Sequence, residues 1–262
     1  MPAPVITLTT DFGLSDHYVG VMKGVIVSIC PRARIVDISH GVGAFEIAEA
    51  AFTISQAYRY FPRGTVHLVV VDPGVGTSRR PILAQAAGQN FIAPDNGVLS
   101  MIYAREKHKV RAISSVRYFL QPVSNTFHGR DIFAPAAAHL AAGVAPARFG
   151  KPIADYLRLD FDKPVRTGRR AWTGAILKVD RFGNLVTNFS VEDFPDLDKR
   201  GFEMAAGPQR IGVLARHYAE RGPGEPFLIL GSAGYYEISV GLASAAKLLG
   251  CAAGAPLELT ML

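Results

Sequence analysis

The residues best suited to chemistry sit in a few polar stretches between apolar ones. In VVVDPGVGTSRRPI (69–82) an apolar run ends on Asp72, turns through Pro73, Gly74 and Gly76, and delivers Arg79 and Arg80. A fixed carboxylate and a fixed guanidinium suit a polar site around a small reactant. The same pair also suits a structural salt bridge, and the glycines raise the question of phosphate binding. The stretch lacks the Gly-Lys-Ser/Thr ending of a P-loop and the glycine spacing of the dinucleotide fingerprint. SNTFHGRDIFAP (124–135) places His128 just before a helix and beside Arg130 and Asp131. An imidazole there can orient or exchange a proton near neutral pH, or serve structure alone. TTDFGLSDHY puts Asp11 at a strand end, where open α/β sheets bind ligands. Its carboxylate can accept from sugar hydroxyls, although a turn or helix cap demands the same residue. APDNGVLS (93–100) has the composition of a turn. In VDRFGNLVTN and GSAGYYEISV, Phe182 offers a ring to stack on a base, Asn184 an amide for a polar edge, and Glu237 an acid inside a strand. Turns at a barrel edge would use similar residues. No Gly-X-Ser-X-Gly, His-Glu-X-X-His or Cys-X-X-Cys occurs, so serine hydrolase, zinc protease and thioredoxin chemistry lack support.

The elements that must hold these residues change character along the chain. VITLTT, RIVDISH and TVHLVVVD read as strands, the third apolar enough to be buried on both faces. Between them, Val19, Met22, Ile26 and Ile29, then Ile47, Ala51, Ile54 and Tyr58, fall at helical spacing. PILAQAA and NFIAPDNG suggest further strands and VLSMIYA a short helix. DIFAPAAAHLAAG reads as a helix, with Pro135 tolerable only near its first turn. This alternation predicts an α/β domain with a largely parallel sheet. GKPIADYLRLDFDKPVRTGRR is turn-rich and reads as a linker. Beyond it come WTGAILKVD, LVTNFS, FEMAA, QRIGVLA, PFLILGS, YYEISV and PLELTML, with helical periodicity nearly absent apart from ASAAKLLG. They predict a smaller all-β domain, a barrel or sandwich. The expected boundaries are 1–165 and 166–262.

Composition narrows the classes. With 49% hydrophobic residues in 262, a real core is affordable. No eighteen-residue apolar run predicts a membrane span, and the opening residues do not read as a signal peptide. Cys30 and Cys251 form neither a disulfide framework nor a zinc motif, which fits a reducing cytoplasm. The net charge is +6, but the basic residues form no long run. A nucleic-acid partner is therefore not expected, while attraction of anionic ligands stays open.

Taken in order, ITLTTDFG, VDPGVGTSRR, APDNG, TFHGRDIFAP, DRFGNLVTN and GSAGYYEISV resemble the S-adenosyl-L-methionine (SAM) hydrolases. These are also called SAM hydroxide adenosyltransferases and are relatives of the fluorinase and chlorinase. The resemblance covers nearly the whole chain. It implies an N-terminal α/β domain, a C-terminal β-barrel, and a homotrimer with sites at subunit interfaces. SAM would be the substrate, with no cofactor, metal, nucleic acid or membrane required. It further implies that Asp72, Arg79 and His128 are catalytic and that Asp11 binds the ribose. Phe45 falls where the halogenases carry a tryptophan beside the sugar, and Phe182 matches the stacking aromatic. Asn184, Ser232, Tyr236, Glu237 and Val240 match positions holding adenine or the methionine end. Thr126, Phe127 and Asp180 complete the substrate-binding set. The chain has Gly129 where the fluorinase has a fluoride-holding serine, and Asp72 and Val75 where it has tyrosine and threonine. Those departures imply the branch that uses water. Gly241 stands where the family usually has asparagine. Two alternatives remain: a chlorinase, which Gly129 would allow but the Asp72 charge opposes, and a non-catalytic nucleoside-binding module.

Overall fold

The computed structural model describes residues 2–160 and 163–262. Phe161 and Asp162, inside the expected linker, and Met1 lie outside the described residues. The chain divides into two compact units, Met1–Leu159 and Asp160–Leu262.

In the first unit the strands are β1 (Val5–Thr10), β2 (Arg34–Ser39), β3 (Val66–Val70), β4 (Pro81–Ala86), β5 (Gln89–Pro94), β6 (His108–Ala112) and β7 (Pro152–Ile153). The helices are α1 (Tyr18–Ile29), α2 (Ile47–Ala57), α3 (Ser100–Arg105) and α4 (Ala134–Ala141). One sheet runs β2-β1-β3-β5-β4-β6-β7. It is parallel from β2 to β5 and antiparallel beyond. β4 and β5 join through Ala87 and Gly88, both at positive φ, the backbone of a tight hairpin turn.

β3 shows why the sheet needs helices on both sides. Its residues are all buried, and their period of two sends them to opposite faces. Leu68 and Val70 join Met22 and Ile26 of α1 and the alanines of α4 in one core. Val69 and Val71 join Ala50 and Ile54 of α2 with Leu99 and Ile102 in the other. Two buried threonines of β1 are paired with histidines: Thr7 Oγ1 lies 2.7 Å from His67 Nδ1 and Thr10 Oγ1 lies 2.8 Å from His40 Nδ1.

The second unit contains β8 (Val165–Arg166), β9 (Ala171–Val179), β10 (Leu185–Ser190), β11 (Phe202–Ala206), β12 (Gln209–Ile211), β13 (Leu214–Ala215), β14 (Pro226–Leu230), β15 (Tyr235–Val240), the short helix α5 (Ala245–Leu249) and β16 (Pro256–Met261). Every expected strand is present, with QRIGVLA split between β12 and β13. The order is β12-β11-β16-β9-β10-β15-β14-β13, with β8 on β9. Among the described residues of this unit only β13–β14 is parallel. This mostly antiparallel half-barrel closes over Leu185, Phe189, Met204, Leu228, Ile238 and Leu259.

Two readings of the sequence need correction. The expected linker is partly ordered into sheets, since β7 pairs with β6 and β8 with β9. The helix expected over DIFAPAAAHLAAG begins instead as a π-turn, Gly129–Phe133, before α4. Pro135 does sit in the first turn of α4, where its missing N–H costs no helical bond. Among the described residues no helix is long and apolar enough to cross a membrane.

Candidate active site

Parallel order β2-β1-β3 means that the chain leaves β1 in one direction and returns to its other side. The carboxyl ends of β1 and β3 therefore flank a topological switch point, the place where open α/β sheets form a crevice. Asp11 follows β1 directly, and Asp72 lies two residues beyond β3.

Arg79 Nε donates to both oxygens of Asp72 at 2.9 Å, and Arg79 Nη2 makes a further, short bond to Oδ2. Nη2 also lies 2.8 Å from His128 Nδ1. The guanidinium sits over Phe133, with Cζ 5.1 Å from the ring centroid. The Asp72 and Arg79 side chains are only 5% and 9% exposed, so the ion pair is largely shielded from water. Because arginine can only donate, Nδ1 of His128 is the acceptor, and a neutral ring then carries its proton on Nε2. Burial, and then the Arg79 charge, lower the His128 pKa and favour that neutral form.

Loop chemistry brings the three together. Gly76 has φ +78, and a Cβ there would lie 2.4 Å from the Asn125 carbonyl oxygen. The 72–79 loop thus packs backbone to backbone on the segment preceding His128. That segment is itself tied down. The fully buried Asp131 accepts from the Ser124 N–H at 2.8 Å and from Arg130. Ser124 Oγ in turn accepts from the Thr126 and Phe127 amides. Asn96 Nδ2 donates to the Val71 carbonyl at 2.9 Å, fixing the residue before Asp72. Sequence reasoning gave none of Ser124, Asn125 or Asn96 a role in the site, and it named Gly76 and Asp131 without these contacts. Arg80 is structural: it bonds Asp95 and Asp155.

Asp11 Oδ2 accepts the Phe45 N–H at 2.9 Å. This bond holds Phe45 in a left-handed backbone, φ 68, with its ring 69% exposed. Two expected binding residues are therefore coupled to each other. Thr126 is exposed, whereas the Phe127 side chain belongs to the core, packed edge-on against Phe12 and Tyr18.

In the second unit, Asp180 organises the turn between β9 and β10. Its Oδ1 accepts the Phe182 and Asn184 amides at 2.9 and 2.8 Å, and its Oδ2 accepts the Asn184 side-chain Nδ2 at 2.9 Å. Phe182 projects from the turn, 79% exposed. Glu237 accepts from Tyr218 Oη at 3.2 Å, and burial raises its pKa. It lies over Gly231, whose absent Cβ would be 1.9 Å from Oε1, next to the exposed Ser232. Tyr236 and Val240 point into the core, and the Tyr236 hydroxyl donates to the Phe194 carbonyl. Alternation in β15 separates them from Glu237. Gly241 fits its surroundings for a local reason: a Cβ would lie 2.7 Å from the Arg221 carbonyl oxygen.

Comparison with known proteins extends over both units. The SAM hydroxide adenosyltransferase N-terminal domain model matches residues 6–150, and the corresponding C-terminal domain model matches 174–258. An (R)-S-adenosyl-L-methionine hydrolase of Thermus thermophilus is 36% identical over 98% of this chain and 99% of its own. One from Salinispora tropica is 36% identical over 99% and 98%. A fluorinase of an Actinoplanes species is 30% identical over 91% and 92%. A crystal structure of a conserved Thermotoga maritima protein superposes with a TM-score of 0.88 at 38% identity, covering 97% of this chain and 99% of the other. Two domain models in sequence order and full-length identity to hydrolases place this chain in the SAM hydroxide adenosyltransferase family.

Proposed function

We propose that this protein hydrolyses S-adenosyl-L-methionine to adenosine and L-methionine, releasing one proton. Water attacks the ribose C5′ as the C5′–sulfur bond breaks. The sulfonium leaves as a neutral thioether, so no general acid is needed at the leaving group. The observation that carries this reading is Arg79 bridging Asp72 and His128. In that arrangement the Arg79 Nη1 edge and the His128 ring are the groups that would face a nucleophile. Both stabilise an oxygen that becomes hydroxide-like in the transition state. Asp72 fixes the guanidinium and offsets its charge. A fixed carboxylate behind the donors disfavours an incoming halide. Since His128 Nδ1 is already occupied, the array positions water and lowers the cost of its deprotonation rather than taking the proton through that nitrogen.

In this reading Asp11 and Phe45 hold the ribose side, with Thr126 at the edge of the same loop cluster. Phe182 stacks on the adenine, and Asn184, steadied by Asp180, reads its edge. Ser232 and Glu237 hold the methionine end. Tyr236, Val240 and Phe127 serve as supporting wall and backbone. The functional form is a homotrimer, in which the N-terminal unit of one subunit and the C-terminal unit of the next each contribute. Light scattering should give a mass near three chains, and a fully active monomer would contradict it.

The relatives' names specify the R configuration at sulfur, so the R epimer is the preferred substrate here. The test is incubation with each purified epimer, with and without chloride, followed by chromatography. Adenosine and methionine, formed faster from the R epimer, are expected. Predominant 5′-chloroadenosine would establish a chlorinase instead, and binding without product would leave a nucleoside-binding module.

A further inference from the structure

Arg200 meets the arginines of the VRTGRR stretch at one end of the second unit. The β8–β9 hairpin pairs Arg166 with Trp172, and Thr260 of β16 pairs with Ala171. Phe202 of β11 pairs with Met261, the Met261 N–H donates to the Arg170 carbonyl, and the Leu262 N–H donates to the Gly201 carbonyl. These pairings gather Arg166, Arg169, Arg170 and Arg200 around a pocket of about 540 Å³ that Trp172 also lines.

We propose that this pocket binds a small polyphosphate anion. Four arginines line it, and among the described residues none of the four is in an ion pair. Two of the acids near Arg200 in sequence are engaged elsewhere, Glu203 with Arg210 and Asp196 with Lys199. Converging like charges repel, and a multivalent anion relieves that repulsion. Arginine suits phosphate because its planar fork donates two parallel N–H bonds to paired oxygens. Arg166 is already immobilised: Nε donates to the Gly168 carbonyl at 3.0 Å, Nη2 donates to the Arg169 carbonyl at 2.7 Å, and Cζ sits 5.6 Å from the Trp172 ring centroid. Less side-chain freedom is then lost on binding. Several such forks exceed what one phosphate group can occupy, so the ligand carries two or more. The pocket lies at the start of β9, and the Asp180 turn lies past its other end. Eight residue steps of an extended strand separate them by about 26 Å. The anion site is therefore distinct from the Asp180 turn that carries Phe182 and Asn184.

Trp172 is the single tryptophan of the chain, so intrinsic fluorescence reads the pocket directly. The intact protein is titrated at low ionic strength with sodium triphosphate, with orthophosphate and with ATP. A saturable fluorescence change is expected with triphosphate, weakening as salt is raised, with orthophosphate at least about tenfold weaker. The double variant Arg169→Gln/Arg200→Gln, and each single variant as a milder control, should lose at least about tenfold in triphosphate affinity while circular dichroism is unchanged. ATP binding more tightly than triphosphate would identify a nucleotide tail with its base on Trp172; equal or weaker binding would identify a free polyphosphate. The proposal is overturned by no saturable response to either at millimolar concentration, or by a response retained in the variants. Much tighter binding of a single-stranded oligonucleotide would also overturn it, making the patch a nucleic-acid surface.

Discussion

Asp72, Arg79 and His128 share their hydrogen bonds, and shared bonds predict shared losses. Arg79→Ala and His128→Ala should each lower SAM turnover by about 10²-fold or more. The double variant should be little worse than the poorer single one, because one positioned water is lost in every case. Adenosine affinity, measured by calorimetry, should persist in all three; multiplicative losses would show that the residues do not act on a common water. Removing Asp72 strands a shielded guanidinium, as removing Arg79 strands a shielded carboxylate, and either should cost about 3–5 kcal/mol of stability in a urea titration. A second residue-level expectation concerns His67, buried between Thr7 and Gln89 and stacked on Phe91. Burial pushes its pKa down to about 4, whereas an unfolded histidine titrates near 6.5. Between those values the unfolded chain binds a proton that the native one excludes, so stability falls as pH falls from 6.5 towards 4. The contribution is about 3 kcal/mol in total, and the slope of unfolding free energy against pH should drop by about 1.4 kcal/mol per unit in His67→Gln. The grouping of Asp72, Arg79 and His128 was legible only through the family resemblance, and the fold does bring the three side chains together. The sequence could not reveal that Arg80 belongs to Asp95 and Asp155, since the latter lies far along the chain and only the folded β7 region delivers it. Alternation in YYEISV did hold the information that Tyr236 and Val240 turn away from Glu237.

Among the elements, strands and helices were the most readable part, because burial imposes a period that composition displays. Val19, Met22 and Ile26 are buried in α1, and Ala51, Ile54 and Tyr58 are buried in and just after α2, as their spacing predicts. Loops were less readable, because their conformation answers to backbone contacts without a residue pattern. Gly76 is the clearest case. Its positive φ and its approach to the Asn125 carbonyl hold the acid-bearing loop against the histidine-bearing one. Gly76→Ala should cost about 1–3 kcal/mol in stability. It should also lower turnover at temperatures where the variant remains folded, since His128 would lose its register with Arg79. Turnover unchanged in a folded variant would show that loop contact does not set the geometry. The π-turn at Gly129–Phe133 escaped the sequence for a related reason: a helix-like composition does not report a local change in hydrogen-bond register.

For the whole molecule, the sequence separated an α/β part from a β part because periodicity changes from helical to alternating. What it left unread was the mixed character of the first sheet. Both β4–β5 and β4–β6 are antiparallel and connect residues close in sequence, whereas β1–β3 and β3–β5 are parallel, β1–β3 closing only across α1, β2 and α2. Chain closure over long loops is slow relative to hairpin formation. The order of strands is therefore also an order in time: β4, β5 and β6 should gain protection first in pulse-labelled hydrogen exchange, and β1 should gain it later. Protection of β1 ahead of the β4–β5 hairpin would refute this sequence of events. Since Asp11 and Asp72 flank the pairing that closes last, a refolding chain would spend an interval holding ordered structure but no reactive crevice, and recovery of turnover should lag behind recovery of ellipticity.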